Sequence, residues 1–436
     1  MENFLLSLSS VIWGLPSIAI YLFTGLRFTI KSRFFQFRHI SIIFKRTLGS
    51  ILKKEKKSDV SSFSAFCSVL GACVGTGNIV GVATAIYSGG AGVLFWMWVS
   101  ALFSMMTAYT ENYLGQQYKC KDRYGVFSGG AFSYIEKGVG SKTLAKIYGV
   151  FCLLSSFTMG NMIQSNSVTE SLGNNFALNK TTLGVLLTVI CFLIIKGGVK
   201  RITRIQTFLV PVMTFLYLGI SFYILYEFRG NIFPSLVFII KSAFTPKAIN
   251  GFGVFKAMQY GFSRGVFSNE AGLGSSTIIH AEVDSTGELQ GMWAIVEVFF
   301  DTIILCTLTG LVILVTDAFK LNLFGATLSI KAYSVIGDVG GDIISVVTAL
   351  FAFTSICSCA FYGEKSFSYL FGKKFLIVYR IIYGFLIFIG TVNPPKILWT
   401  LADIFNGVMG VINLFSINWI GKSVFSGFAS RMKNKE

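Results

Sequence analysis

The sequence predicts an all-α membrane protein with 11 transmembrane helices, two of which are broken near the middle of the bilayer. Of its 436 residues, 53% are hydrophobic and only 13% are charged, whereas a soluble domain carries about 25% charged residues. The apolar residues form long continuous runs instead of the alternating segments of about ten residues that mark a membrane β-barrel. Two of these runs also contain clusters of glycines and polar residues that a lipid-facing helix does not tolerate.

The apolar runs place the spans and orient them. The predicted spans cover residues 11–30, 62–85, 93–113, 147–172, 182–195, 206–226, 253–281, 292–316, 343–362, 375–392 and 398–419. With this count, the dense basic clusters, such as residues 31–57 and the C-terminal tail, lie on one side of the membrane. Because short cytoplasmic loops are rich in Lys and Arg, we expect the N-terminus outside and the C-terminus in the cytoplasm. The composition and the lack of a recognisable cleavage site favour a cell inner membrane and a retained first span.

The positions of the two broken spans suggest an internal repeat. Without the first span, 10 spans remain, and the first and sixth of these contain the breaks. Corresponding breaks in two five-helix halves are typical of inverted-repeat transporters, whose site lies at the repeat interface. We therefore divide one transporter domain, residues 1–436, into an extra helix with its basic loop (1–60), a first repeat (61–230) and a second repeat (250–420).

The first broken span contains Gly71 and the string GTGN at residues 75–78. A helix that unwinds inside the bilayer frees N–H groups at the positive end of one half and carbonyls at the end of the other half. The N–H groups of Thr76 and Gly77 therefore suit a carboxylate, and the carbonyls of residues 72–74 suit a cation. Close packing of the glycines against neighbouring helices is the alternative explanation.

The second broken span, residues 261–276, carries four glycines together with Arg264, Asn269 and Glu270. A charged group at the bilayer centre is unfavourable by about 3 kcal/mol or more, so these side chains must face protein or a watery cavity. We expect Arg264 and Glu270 to bond across the break, or to reach Asp301 in the next span, as a structural or gating network.

Polar residues in other spans are further candidates. Gln164 lies in the middle of a span and must be hydrogen-bonded; bonding between helices and contact with a substrate explain it equally well. Thr354 and Ser355 offer two adjacent hydroxyls as ligands for a sodium ion, although such residues mostly bond the backbone of their own helix.

The sequence gives no support for an enzyme or a nucleic-acid-binding protein. Its two histidines, His39 and His280, form no metal-binding motif, and it has neither a G-x-S-x-G nucleophile elbow nor a phosphate-binding loop. The net charge of +17 comes from residues in short loops, which reflects orientation in the membrane rather than a nucleic-acid surface. We expect no enzymatic activity, no organic cofactor and no nucleic-acid partner.

Seven segments resemble the alanine or glycine:cation symporter family. They are GTGNIVGVATA (75–85), GNMIQSNS (160–167), SRGVFSNEAGLGS (263–275), DT (301–302), FAFT (351–354), YGE (362–364) and LAD (401–403). They follow the family's order, and the string SNEAGLG is highly specific. The resemblance implies a carrier of the leucine-transporter architecture, with an extra N-terminal helix and a 5+5 inverted repeat, that imports a small neutral amino acid with sodium.

The resemblance also implies the residues of the site. Sodium would be bound by the carbonyls of Gly71, Val74 and Phe351 and by the hydroxyls of Thr354 and Ser355. The amino acid would be held by Thr76, Gly77, Asn78 and Gln164, with the backbone near Phe267 and Ser268 closing the pocket.

One residue departs from the family pattern. Where the family usually has a tryptophan, two residues before its Tyr-Tyr-Gly-Glu string, this sequence has Cys359. If this side chain forms a wall of the pocket, replacing an indole by a thiol removes much volume. We therefore include Cys359 among the substrate-binding residues and predict, as an alternative, a substrate larger than alanine, such as glutamine or serine.

The resulting prediction is a sodium:amino-acid symporter that works by alternating access, surrounded by membrane lipid and able to act as a monomer. A proton-coupled carrier, with Glu270 or Asp301 as the proton carrier, is the first alternative. A channel or a receptor is a more distant one, because the sequence has no repeated filter loop, no ring of charges and no soluble sensing domain.

Overall fold

The structure is a computed structural model, and it describes residues 2–51, 60–121, 127–245, 253–393, 395–426 and 428. Part of the basic loop (52–59), Arg123 and the basic tail (429–436), which contribute to the predicted orientation, lie outside the described residues. The N-terminal helices are α1 (Glu2–Ile12), α2 (Leu15–Lys31), α3 (Phe35–Arg38) and α4 (Ile40–Arg46). Pro16 lies in the first turn of α2, where its fixed φ and missing N–H suit a helix start.

The first half of the remaining chain contains the first break. Its elements are α5 (Ser62–Cys73), α6 (Val82–Gly89), α7 (Val93–Gln117), the strands β1 (Cys120–Lys121) and β2 (Phe127–Ser128), α8 (Ala131–Tyr134), α9 (Lys142–Phe157), α10 (Ile163–Phe176), α11 (Lys180–Ile195) and α12 (Gly198–Glu227). The two strands form a short antiparallel pair, in which Cys120 lies opposite Ser128. Pro211 is accommodated inside α12.

The second half contains the second break. Its helices are α13 (Ile232–Phe244), α14 (Val254–Asn269), α15 (Thr277–His280), α16 (Gly287–Val298), α17 (Thr307–Val315), α18 (Ala326–Tyr333), α19 (Asp338–Phe371), α20 (Leu376–Val392), α21 (Pro395–Ile420) and α22 (Lys422–Phe425). Short 3₁₀ turns connect elements along the chain at Leu48–Ser50, Arg229–Asn231, Ala318–Leu321, Ser334–Ile336 and Lys373–Phe375.

Four π-helical segments interrupt the α-helical geometry. They are Gly77–Gly81, Ile135–Val139, Thr158–Met162 and Phe299–Cys306. The third joins α9 to α10, and the fourth joins α16 to α17, so each of these helix pairs continues across its wide turn. Segments of this kind are rare and occur frequently at functional sites.

The helices account for the predicted membrane spans. Among the described residues, 8 helices are long and apolar enough to cross a membrane, or up to 9 if the bent pair α5 and α6 forms one span. The two other predicted spans correspond to the apolar helix α11, which has 16 residues, and to α14 with α15. Large apolar side chains such as Phe208, Phe215 and Phe385 are exposed, which suits a surface covered by lipid. The chain is thus a multi-pass membrane protein, and the count of 11 spans stays a prediction.

Both breaks occur at the predicted strings. The axis bends by 43° between α5 and the helical stretch that begins at Gly77. At the other break, α14 ends at Asn269, and Glu270 adopts a left-handed conformation with φ 54°. Gly272 and Gly274 follow with φ of 94° and 75°, a region that side-chain-bearing residues rarely adopt. The inverted-repeat symmetry of the two halves remains a prediction.

Candidate functional site

The unwound part of the first broken helix is bound by a side chain of α10. The backbone N–H of Thr76 donates a hydrogen bond of 3.1 Å to Gln164 Oε1. Gln164 Nε2 in turn donates to the carbonyl of Met159, 3.1 Å away, within the π-helical segment before α10. Gln164 is buried, so its amide fixes an N–H group that the helix break has left free.

The two breaks meet at Gly77. A Cβ added to this glycine would lie 3.2 Å from Ser268 Cα and 3.3 Å from the Phe267 ring. A side chain here would press against Ser268 and Phe267, so glycine suits this close approach. The structure therefore brings together five of the residues predicted to bind the amino acid: Thr76, Gly77, Gln164, Phe267 and Ser268.

Asn78, a sixth predicted residue, contacts a residue of the π-helical segment Phe299–Cys306. Its Nδ2 lies 2.7 Å from Asp301 Oδ1 and 3.0 Å from the Asp301 carbonyl. The same nitrogen lies 3.4 Å from Cys306 Sγ, which is 3.3 Å from the hydroxyl of Ser268. The first break, the end of α14 and this π-helical segment therefore form one polar cluster.

The residues predicted to bind sodium surround the end of α5. The Ser355 hydroxyl on α19 lies 2.9 Å from the carbonyls of both Gly71 and Ala72. The Thr354 hydroxyl donates to the carbonyl of Phe351, 2.8 Å away, in its own helix. Val74 follows α5 directly, with its N–H bonded to the Leu70 carbonyl. These positions offer hydroxyl and carbonyl oxygens, the neutral ligands that a sodium ion takes beside a broken helix.

A residue that the sequence did not single out lies beside these oxygens. Gln206 on α12 donates from Nε2 to the Thr354 carbonyl (2.8 Å) and to the Ser358 hydroxyl (3.0 Å). Its Oε1 is buried without a hydrogen-bond partner among the described residues, and a Cβ on Gly71 would lie 2.4 Å from it. Gln206 thus connects α12 to the helices that carry the predicted sodium ligands.

Cys359 is buried near the substrate residues. Its Cβ lies so close to Gly160 that any side chain there would overlap it. Together with Ser155, Glu270 and Ser275, it lines a narrow cavity of about 10 Å³, which is room for about one water molecule. The thiol therefore borders a small polar space between α9, α19 and the second break.

The predicted partner of Arg264 was wrong. Arg264 forms a bidentate ion pair with Asp403 on α21, with N–O distances of 2.5 and 2.8 Å, and it contacts neither Glu270 nor Asp301. The reason is that Arg264 lies within α14, whereas Glu270 lies beyond its end, where the chain turns and the carboxylate accepts a hydrogen bond from Ser275 Oγ.

The ion pair lines a larger cavity. The Arg264 guanidinium lies 4.6 Å from the ring centre of Trp399, whose ring lies 4.6 Å from that of Phe267. The cavity has a volume of about 500 Å³, and its lining includes Trp13, Arg264, Trp399 and Asp403. Because the Phe267 ring also lies next to Gly77, it connects the lining of the cavity to the first break.

The second break is held by buried hydrogen bonds. The carboxylate of Glu111 on α7 accepts hydrogen bonds from the Gly272 N–H, 3.2 Å away, and from the amide of Asn413. Tyr148 donates to the carbonyl of Leu273 at 2.8 Å. These bonds satisfy backbone groups that a broken helix leaves without partners.

Ion pairs connect elements beyond the second break. Lys365 on α19 lies 2.5 Å from the carboxylate of Glu282, and Lys119 donates to the carbonyl of Val283 at 2.6 Å. Buried His280 places Nε2 2.9 Å from the carboxylate of Glu297. These contacts close the end of the bundle opposite the large cavity, which lies at the start of α14.

The sequence alone did not reveal Gln206, Trp399 or the partners of Arg264 and Asn78. Asp403 lies within the LAD string, and Asp301 within the DT string, so their participation could have been suspected. Gln206 begins a predicted span as an isolated amide between a basic loop and an apolar run, which is a weak signal because such residues commonly mark a membrane boundary.

Comparisons with known proteins identify the family of this chain. The family described as "Sodium:alanine symporter family" matches residues 1–435. The chain is 35% identical to the sodium/alanine symporter of Methanococcus maripaludis, covering 94% of this chain and 93% of that protein. It is 34% identical to the probable sodium/glutamine symporter of Bacillus subtilis, covering 98% and 90%.

A solved structure supports the fold. The chain superposes on a Na⁺-coupled sialic acid symporter with a TM-score of 0.51 and 13% identity, over 94% of this chain and 83% of that one. At this identity the similarity concerns the fold alone. The family match covers nearly the whole sequence, so this chain belongs to the sodium:alanine symporter family, whose members are membrane transporters rather than enzymes.

Proposed function

We propose that this protein imports a small neutral amino acid of the alanine and glycine class together with sodium, by alternating access around the two breaks. The observation that carries the proposal is the convergence at the first break. The Thr76 N–H donates to the exchangeable amide of Gln164, Gly77 lies against Ser268 at the second break, and the hydroxyl of Ser355 lies at the carbonyls that end α5. One broken helix thus offers donors for a carboxylate and acceptors for a cation.

The carboxylate of the substrate would compete with Gln164. In this structure the amide oxygen of Gln164 accepts the hydrogen bond from the Thr76 N–H. A carboxylate is charged and is therefore the stronger acceptor, so the substrate displaces the amide oxygen from this N–H group. The released Gln164 side chain stays next to the substrate and can donate from Nε2.

The sodium ion would enter between α5 and α19. The Ser355 hydroxyl now donates a hydrogen bond toward the carbonyls of Gly71 and Ala72. When sodium binds, the hydroxyl turns its lone pairs to the ion, and the carbonyls of Gly71 and Val74 become ligands as well. Sodium close to the carboxylate site favours substrate binding, and by linkage the substrate favours sodium binding by the same factor.

The two ends of the bundle suit alternating access. The cavity of about 500 Å³ lies above the Arg264–Asp403 pair, whereas Lys365 and Glu282 close the opposite end. The proposed orientation, with the N-terminus outside, the C-terminus in the cytoplasm and the chain in the cell inner membrane, makes the cavity the external entrance. One chain holds all proposed ligands, so a monomer is sufficient.

A preference for glutamine or serine is the second candidate. It is supported by Cys359 in place of the family's usual tryptophan, and by the polar lining of the adjacent cavity, which includes Ser155 and Ser275. The glutamine symporter of B. subtilis belongs among the relatives of this chain. Coupling to protons instead of sodium is supported only by the buried carboxylates of Glu270 and Asp301.

Uptake into proteoliposomes tests the proposal. Labelled alanine and labelled glutamine are supplied with and without an inward sodium gradient, at constant pH and membrane potential. We expect sodium-driven, saturable accumulation of alanine. Accumulation of glutamine alone would favour the second candidate, and uptake that follows an inward proton gradient but not sodium would contradict sodium coupling.

A further inference from the structure

Three cations lie together where α2 and α21 end. Arg27 and Lys31 are one helical turn apart on α2 and therefore share a face of that helix. Lys422, at the start of α22, is near enough for its charge, like that of Arg27, to oppose the charge of Lys31. Phe28 on α2 stacks on Phe425 with ring centres 5.4 Å apart, which holds α22 beside α2. No carboxylate among the described residues forms an ion pair with any of these cations, so their mutual repulsion is not offset.

The guanidinium of Arg27 is held in a fixed position. Its Nη1 donates to the carbonyl of Asn418 on α21 at 3.1 Å and to Asn418 Oδ1 at 2.7 Å. Asn418 Nδ2 in turn donates to the Thr24 hydroxyl at 2.6 Å and to the Leu414 carbonyl at 2.9 Å. Arg27 Nη2 has no hydrogen-bond partner in the described part of the chain. Orientation in the membrane requires only that cations lie on one side, whereas this arrangement presents a positioned donor next to two further cations.

Exposed apolar side chains adjoin the three cations. Leu26 and Ile30 on α2 are 43% and 55% exposed, and they lie on the same side of the helix, about one turn apart. On α21, Phe415 stacks on Trp419 with ring centres 6.4 Å apart, and Trp419 directly follows the residue that is bonded to Arg27. Tryptophan is enriched where membrane helices reach the headgroups. The cations therefore lie at the depth of the headgroups, next to apolar residues at the depth of the acyl chains.

We propose that Arg27, Lys31 and Lys422 bind the phosphate of an anionic phospholipid, whose acyl chains lie against the exposed apolar residues of α2 and α21. A phosphate diester has a negative charge and acceptor oxygens that match one guanidinium and two ammonium groups. Basic pockets between membrane helices on the cytoplasmic side bind headgroups of this kind, and the proposed orientation places the ends of α2 and α21 on that side. A free phosphate carries the same charge but covers none of the apolar residues, which favours the lipid.

Such a lipid would hold α2 to the rest of the bundle. α2 belongs to the segment outside the two predicted repeats, and it lies against the second break, where a Cβ on Gly272 would be 2.4 Å from the ring of Tyr21. A ligand that binds the folded protein stabilises it. The lipid thus supports a helix beside the break without contacting the residues proposed to bind the amino acid or sodium, and its binding is tested independently of transport.

Native mass spectrometry of the purified protein in a neutral detergent tests the inference. Dioleoylphosphatidylglycerol and dioleoylphosphatidylcholine are titrated separately, and the fraction of protein that carries lipid gives each affinity. Wild type is expected to bind the anionic lipid more tightly. Lys31→Gln combined with Lys422→Gln leaves Arg27 and its bonds in place and should weaken this binding about thirtyfold, a factor of about five for each lysine. The matched control, Lys142→Gln combined with Lys146→Gln, removes two exposed lysines of α9 and should bind phosphatidylglycerol as wild type does.

Three outcomes would overturn the inference. Equal weakening in the two double variants would reveal a general effect of charge, and equal affinity of wild type for the two lipids would leave the cations without a role. Displacement of phosphatidylglycerol by inorganic phosphate would assign the cations to a free anion, whereas retention of the lipid is expected.

A milder variant and a second measurement keep the test decisive if the double variant is unstable. Lys422 is exposed, and Lys422→Gln alone should weaken the binding of phosphatidylglycerol about fivefold. Phosphatidylglycerol should also raise the melting temperature of wild type and of the control more than that of the Lys422→Gln variant. Unchanged affinity together with an equal rise in all three proteins would refute the site.

Discussion

Replacing Ser355 by alanine should weaken sodium activation far more than replacing Ser358. Both hydroxyls are buried on α19 and donate to carbonyls of α5: Ser355 to Gly71 and Ala72, and Ser358 to Ser68 at 2.8 Å. The two variants therefore remove the same atom from the same helix pair. Of these two serines, only Ser355 is a proposed ligand of the sodium ion. The comparison therefore separates the effect of losing a ligand from the effect of altered helix packing.

The expected size of the effect follows from the bond that is lost. A bond between a neutral group and a charged one contributes about 1.5–3 kcal/mol, and about 1.4 kcal/mol corresponds to a factor of ten. Ser355→Ala should therefore raise the half-saturating sodium concentration about 10- to 150-fold. Ser358→Ala removes two bonds between neutral groups, one to the Ser68 carbonyl and one from Gln206 Nε2, so it should lower stability by about 2 kcal/mol. Because Gln206 keeps its bond to the Thr354 carbonyl, sodium activation should stay nearly unchanged.

The assay is initial alanine uptake into proteoliposomes at increasing external sodium concentration, with potassium or choline keeping the ionic strength constant. At saturating sodium, Ser355→Ala should recover most of its transport rate, because the ligand affects affinity for the ion. Equal shifts in the two variants would refute the assignment. So would a Ser355→Ala protein that loses rate at every sodium concentration without any change in the half-saturating value.

Three further predictions concern the Arg264–Asp403 ion pair, the support of the sodium site and substrate selectivity. Asp403→Ala leaves the Arg264 guanidinium buried without its partner and should lower stability by about 3 kcal/mol, measured as a fall in melting temperature. The double variant with Arg264→Met should recover most of this loss. A single variant as stable as wild type would contradict the buried pair. Gln206→Leu removes the donor to the Thr354 carbonyl. It should raise the half-saturating sodium concentration about fivefold, which corresponds to about 1 kcal/mol. A change only in the KM for alanine would argue against a role of Gln206 in supporting the sodium site. Cys359→Trp should reduce competition by glutamine more than tenfold relative to alanine, with Cys359→Ala as the control, and equal competition in both variants would exclude this position from selectivity.

Much of the fold could be predicted because its signals are local. Long apolar runs predict membrane spans however the helices pack against one another. Glycines beside polar residues predict breaks at residues 75–78 and 261–276, because neither string can form a lipid-facing helix. The positive φ values at Gly272 and Gly274 are the local conformations that such a string allows. The structure contains helices at all the predicted positions, and its breaks occur at both strings.

The partners within the site could not be predicted, because they depend on how distant spans pack. Arg264 and Asp403 are 139 positions apart, and Asn78 and Asp301 are 223 apart. The expectation that Arg264 meets Glu270 treated six positions along the chain as proximity in space. In the structure α14 ends between them, and the reversal at Glu270 turns its carboxylate toward the other half of the break.

The π-helical geometry around Asp301 gives this helix a way to rearrange locally. An α-helix advances about 100° of rotation for each residue, and the wide turns of Phe299–Cys306 accommodate extra residues without breaking the rod. If such a wide turn migrates along the rod by one step, the residues that it passes rotate to a new face while both ends of the rod stay in place. Asp301 could thereby exchange one set of neighbours for another during a transport cycle, and one helix would combine a fixed anchor in the membrane with a movable contact at its centre.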